Sequence, residues 1–202
     1  MKQTARALLI WAALAAAIAI PLTFAATSPY LAWRDPIYVA AGFAGVVALC
    51  LALVQPLLAA GWLPRLGVLR GRRVHRVVGI ALVAMVALHV VGLWLTSPPD
   101  IEDALLLRSP TPFSVWGVAA MWALFAAALL VAFRRRLSPL AWRIVHGGLV
   151  AVVVVGGAIH ALLVEGTMET SSKIVLCAAA VIATAAALAM PWLRARIARN
   201  RA

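Results

Sequence analysis

Residues 72–89 read RRVHRVVGIALVAMVALH, and residues 143–160 read RIVHGGLVAVVVVGGAIH. Each stretch opens on an arginine, reaches Val-His two and three positions later, and closes on a second histidine fourteen residues after the first. Apart from Arg76, nothing between the paired histidines carries a charge. A run this apolar reads as a membrane helix, which needs about 20 such residues to cross the hydrocarbon core. An ionisable side chain there is costly, so each histidine is a functional candidate by default.

Composition extends that reading to the whole chain. Of its 202 residues 65% are hydrophobic and 12% are charged. A soluble domain of this size needs a larger polar shell, so lipid must solvate most of these side chains. Six stretches are long enough to span, roughly 7–26, 37–62, 74–95, 113–133, 142–164 and 174–193. The breaks are punctuated by Thr27-Ser28-Pro29, Ser97-Pro98-Pro99-Asp100 and Ser138-Pro139. Pro21 and Pro56 fall inside spans, where proline kinks a helix rather than ending it. The expected fold is an all-α integral membrane bundle of six transmembrane helices. It forms one domain over residues 1–202, with the third and fifth spans carrying the histidines.

The net charge of +12 would suggest nucleic acid in a soluble protein. Its distribution assigns it to topology instead. Lys2 and Arg6, Arg65 to Arg76, Arg134 to Arg143 and Arg194 to Arg201 fall on one side. The other side holds only Arg34, Arg108 and Lys173, with all six acids. The positive-inside rule makes the first side cytoplasmic and puts both termini there, in a bacterial-type inner (plasma) membrane. Nucleic acid is therefore not an expected partner; the lipid bilayer is. The first span has a basic start and small residues at Phe24-Ala25-Ala26, like a signal peptide. Its length of near 20 residues favours a retained helix. Cys50 and Cys177 sit in apolar runs without a CxxC or CxxCH motif, and read as small core residues.

Fourteen residues return a helix to within about 40° of its starting face and advance it about 21 Å. The third and fifth spans run the same way, so their equal spacings set the rings at two matching depths. His75 faces His146 near the inner surface and His89 faces His160 near the outer one. Zinc wants three or four protein ligands. Haem iron wants only two axial ones, and bis-histidine ligation leaves it conducting electrons rather than binding oxygen. Two haem b groups are the expected cofactors. Arg72 and Arg143 stand three residues before His75 and His146, on the same face. They suit a propionate, or they serve topology alone. Gly79, Gly92, Gly147, Gly148, Gly156 and Gly157 leave room beside the ligands for a flat macrocycle, though small residues also serve helix packing. The histidines alone also admit a proton relay or packing contacts.

With six spans, paired histidines in the third and fifth and a basic inner face, the chain resembles the ferric reductase-like transmembrane domain. That domain is the haem core shared by ferric-chelate reductases and NADPH oxidases. The resemblance implies that His75 and His146 hold an inner haem and His89 and His160 an outer one. It also implies an oxidoreductase or electron-transfer subunit. Family members that act alone carry a flavin and nicotinamide domain after the last span. Here nine residues follow residue 193 and no GxGxxG loop occurs. A separate cytoplasmic flavin reductase, or a membrane quinol, is therefore the expected donor, and flavin enters only through such a partner. The expected acceptor is external, a metal chelate or a periplasmic redox protein.

A stand-alone bacterial branch serves a periplasmic methionine sulfoxide reductase and is the alternative within the class. A cytochrome b561-like quinol oxidoreductase shares its histidines among more helices. The rival of another class is a non-redox small transporter or assembly protein, against which the spans offer no acid at mid-membrane. In the external loop 96–112, Asp100-Ile101-Glu102-Asp103 would open a short helix to Arg108, as an acceptor platform or as a plain connector.

Overall fold

The computed structural model describes residues 2–199. Its helices are α1 (Lys2–Ala26), α2 (Pro36–Ala59), α3 (Val68–Thr96), α4 (Pro98–Leu105), α5 (Pro112–Ala132), α6 (Pro139–Leu163) and α7 (Thr170–Arg199). All but α4 are long and apolar enough to cross a membrane, which makes six candidate spans. Large apolar side chains such as Leu9, Ile80, Leu129 and Ile182 point outward and exposed. Water would not tolerate that surface and lipid favours it, so this is a multi-pass membrane protein.

Local chemistry sets the helix starts. Proline occupies the first turn of α2, α4, α5 and α6, where its missing N–H is not needed. The Asp35 carboxylate accepts from Ile37 N at 2.7 Å, and Ser138 Oγ accepts from Ala141 N at 3.1 Å. Pro21, Pro56 and Pro191 lie within helices that continue through them.

Several helices outrun the apolar count, α7 at both ends and α3 and α4 at their starts. Helix α3 begins at Val68 rather than near 74, so Arg70, Arg72 and Arg73 ride on it. Arginine is a good helix former, and hydropathy marks the lipid-embedded part of a helix, not its end. Helix α4 begins at Pro98 rather than Asp100 and stops at Leu105. There Leu107 turns to φ 57°, and the Arg108 and Ser109 amides fold back onto the Asp103 carbonyl at 2.7 and 3.1 Å.

Helices α2 and α3 pack along each other as one hairpin, and α5 and α6 as another. Helix α7 lies against α2 and α6, with α1 at the periphery on α2 and α7. The core joins Leu49, Cys50 and Leu53 to Val154 and Ala158 and to Leu176, Cys177 and Ala180. Both cysteines are buried and free. Small residues let the backbones approach: a methyl on Gly92 would lie 2.7 Å from Ala41 Cβ, and one on Gly156 3.1 Å from the Trp116 carbonyl. Close backbone packing of α3 on α6 is sparse, although these two helices carry all four histidines.

Candidate functional site

The histidines occupy two levels, one toward the acidic end of the bundle and one toward the arginine-rich end. At the acidic end, His89 Nδ1 donates to the Ala41 carbonyl of α2 at 2.8 Å. His160 Nδ1 donates to the Phe113 carbonyl of α5 at 2.9 Å. A carbonyl only accepts, so each Nδ1 carries the hydrogen and each Nε2 keeps its lone pair. The two ring centroids stand 6.3 Å apart with planes at 79°. The Phe113 ring meets His160 edge-on at 5.7 Å.

Glycine makes this approach possible. Gly45 lies one turn beyond Ala41, and Gly117 one turn beyond Phe113. A Cβ on Gly45 would sit 2.9 Å from His89 Nδ1, and one on Gly117 2.7 Å from His160 Nδ1. A side chain at either position would press on the ring nitrogen that the carbonyl holds. Sequence reading missed both glycines and both carbonyl acceptors. The recurrence that could have found them is Ala41-x3-Gly45 against Phe113-x3-Gly117, each on the helix preceding a histidine pair.

At the arginine-rich end the ring supports are looser. His75 Nδ1 reaches the Gln55 carbonyl at 3.3 Å, and Gln55 lies fourteen residues along α2 from Ala41. His146 Nδ1 is buried without a partner, as is Gln55 Oε1. The His146 ring lies flat on Trp142, with centroids 4.7 Å apart and planes at 11°. The Arg134 guanidinium covers the indole at 4.9 Å.

Of the two flanking arginines, Arg143 lies over the Trp192 ring of α7 at 5.5 Å, and Arg72 is exposed on α3. Trp142 thus holds the place beside His146 that the sequence suggested for Arg143. The glycines expected beside the ligands divide. Gly92, Gly147 and Gly156 serve helix packing, and Gly79 abuts the Gln55 amide. Gly148 and Gly157 face open space. Among the described residues no three His, Cys, Asp or Glu side chains gather at one point, and His89 with His160 is the imidazole pair whose rings meet.

Residues 41–157 match the family model described as the ferric reductase like transmembrane component. The match begins at the residue whose carbonyl holds His89 and takes in His75, His89 and His146. No curated protein and no solved structure matches the chain.

Proposed function

The chain belongs to the ferric reductase-like transmembrane family, and on that premise we propose that it is a di-haem b-type cytochrome conducting electrons across the bilayer. His75 and His146 would hold an inner haem, and His89 and His160 an outer one. The arginine-rich end faces the cytoplasm and receives electrons from a flavin reductase or a quinol. The acidic end delivers them to an external metal chelate or redox protein, for which α4 and the loop after it offer a platform.

The observation that carries this reading is the His89–His160 pair. Two metal–imidazole bonds of about 2.0–2.1 Å and two ring radii of roughly 1.1 Å give about 6 Å between centroids, in accord with the 6.3 Å found. Haem held by these histidines would supply one-electron redox chemistry, and ligation by two imidazoles would suit it to electron transfer. The protein's own part is orientation. The Ala41 and Phe113 carbonyls fix the Nδ1–H tautomer, turn Nε2 inward and raise its basicity. Close backbone packing of α3 on α6 is sparse, as two helices that share a macrocycle require. Arg72 and Arg143 stand at the level where an inner propionate would need a cation, with Arg143 having to leave Trp192 to reach it.

The test is the dithionite-reduced minus oxidised visible spectrum of the purified protein, with haem counted per chain. Two haems with low-spin six-coordinate bands are expected. A folded sample from haem-sufficient cells that carries none overturns the reading and returns the histidines to packing or proton relay.

A further inference from the structure

We propose that His146 is the exchangeable member of the quartet, so that the inner level admits a small neutral π-acceptor ligand such as carbon monoxide while the outer level excludes it. This rests on the assignment of the four histidines as haem ligands given above.

The two histidine-bearing hairpins repeat one another, and the inference lies in where the repeat fails. The same offset of seventy-one residues relates His75 to His146 and His89 to His160. On the partner helices, Ala41 and Phe113 hold the outer rings, and each is followed one turn later by the glycine beneath the ring. Fourteen residues on from Ala41, Gln55 holds His75. The same step from Phe113 arrives at Ala127, which is buried in α5, but among the described residues His146 Nδ1 has no hydrogen-bond partner there or elsewhere. Three imidazoles therefore have Nδ1 pinned by a carbonyl, at 2.8, 2.9 and 3.3 Å, and the fourth has none.

A hydrogen bond at the distal ring nitrogen sets a ligand's tautomer and orientation and raises its basicity. Losing such a partner typically weakens metal binding about 10–100-fold. Stacking on Trp142 holds the plane of the His146 ring, yet it neither fixes rotation within that plane nor decides which nitrogen is protonated. The second unsatisfied buried atom of this level, Gln55 Oε1, belongs to the same under-restrained region. His146 would let go as the neutral base and the incoming ligand would bring its own lone pair. No electron or proton moves.

The experiment is a carbon monoxide difference spectrum of the dithionite-reduced, two-haem protein. About half of the haem is expected to shift, and the double variant His89→Ala/His160→Ala, stripped of the outer site, should bind carbon monoxide as the parent does. Trp142→Ala, which removes the remaining support of the ring, should tighten carbon monoxide binding about tenfold with no change at the outer haem, whereas Trp142→Phe should stay near the parent. A reduced parent in which neither haem responds, or both respond equally, overturns the proposal while leaving the conduit reading in place. A purified protein without haem overturns both.

Discussion

The rings of His89 and His160 meet nearly at right angles across the bundle, 6.3 Å between centroids, each tethered to a carbonyl on a different neighbouring helix. Helices α3 and α6 therefore do not orient these rings by themselves. Each ring is a joint between two helices, and the supporting residues are as accessible to mutation as the ligands.

Gly117→Ala places a methyl 2.7 Å from His160 Nδ1, and Gly45→Ala places one 2.9 Å from His89 Nδ1. Each ring must give up its carbonyl to make room. Outer-haem affinity should fall about 10–100-fold in either variant. Pyridine haemochrome assay of detergent-purified protein should then return close to one haem per chain, with helical circular dichroism preserved.

On the proposed di-haem reading the two levels are separate sites. His89→Ala or His160→Ala should remove the outer haem alone, and His75→Ala or His146→Ala the inner one alone. Redox titration of each variant should show one of the parent's two waves. Loss of both haems from a single substitution would mean that the levels do not fill independently.

Lys173 is buried near the acidic end, and its ammonium donates to the Val164 carbonyl that closes α6, at 2.8 Å. The Val164 amide in turn donates to the His160 carbonyl at 3.1 Å. Lys173→Met keeps the apolar stem and leaves that carbonyl unsatisfied. It should cost about 1–3 kcal/mol, read as a fall of several degrees in melting temperature.

The Glu169 carboxylate accepts from Ser171 N at 2.7 Å and Ser172 N at 2.6 Å, capping α7. Those two backbone N–H groups favour the charged form and hold its pKa down to about 2. The folded value lies below that of an unfolded glutamate, near 4.3. The cap therefore contributes in full above about pH 4.3 and fades as pH falls toward 2. Glu169→Ala should melt earlier than the parent at pH 6, and the two melting curves should converge at the acid end.

The six spans and the approach of His89 to His160 were legible because both follow from spacing. Hydrophobic run length locates a span, and a fourteen-residue step keeps a ring on its face. The ring supports were not legible, since a backbone carbonyl has no letter of its own. Ala41, Gln55 and Phe113 act through a group that every residue carries. Gly45 and Gly117 were overlooked because they stand on the helices that lack histidine. Arg143 shows the limit of phase arithmetic: three residues fall about 60° short of a full turn and four overshoot by only about 40°. Trp142 thus lies closer to the His146 face, and an aromatic plane fits against an imidazole better than a hydrated guanidinium does.

The matched hairpins carry one more consequence. Helices α2 and α3 pack as one hairpin and α5 and α6 as another, and a shift of seventy-one residues carries His75 onto His146 and His89 onto His160. The approach of His89 to His160 draws one ring from each hairpin, and neither half of the chain owns it. A symmetric pair would treat its two members alike, as the Ala41 and Phe113 carbonyls do for His89 and His160. Seen that way, the free Nδ1 of His146 marks the point where the halves, no longer obliged to be identical, have diverged.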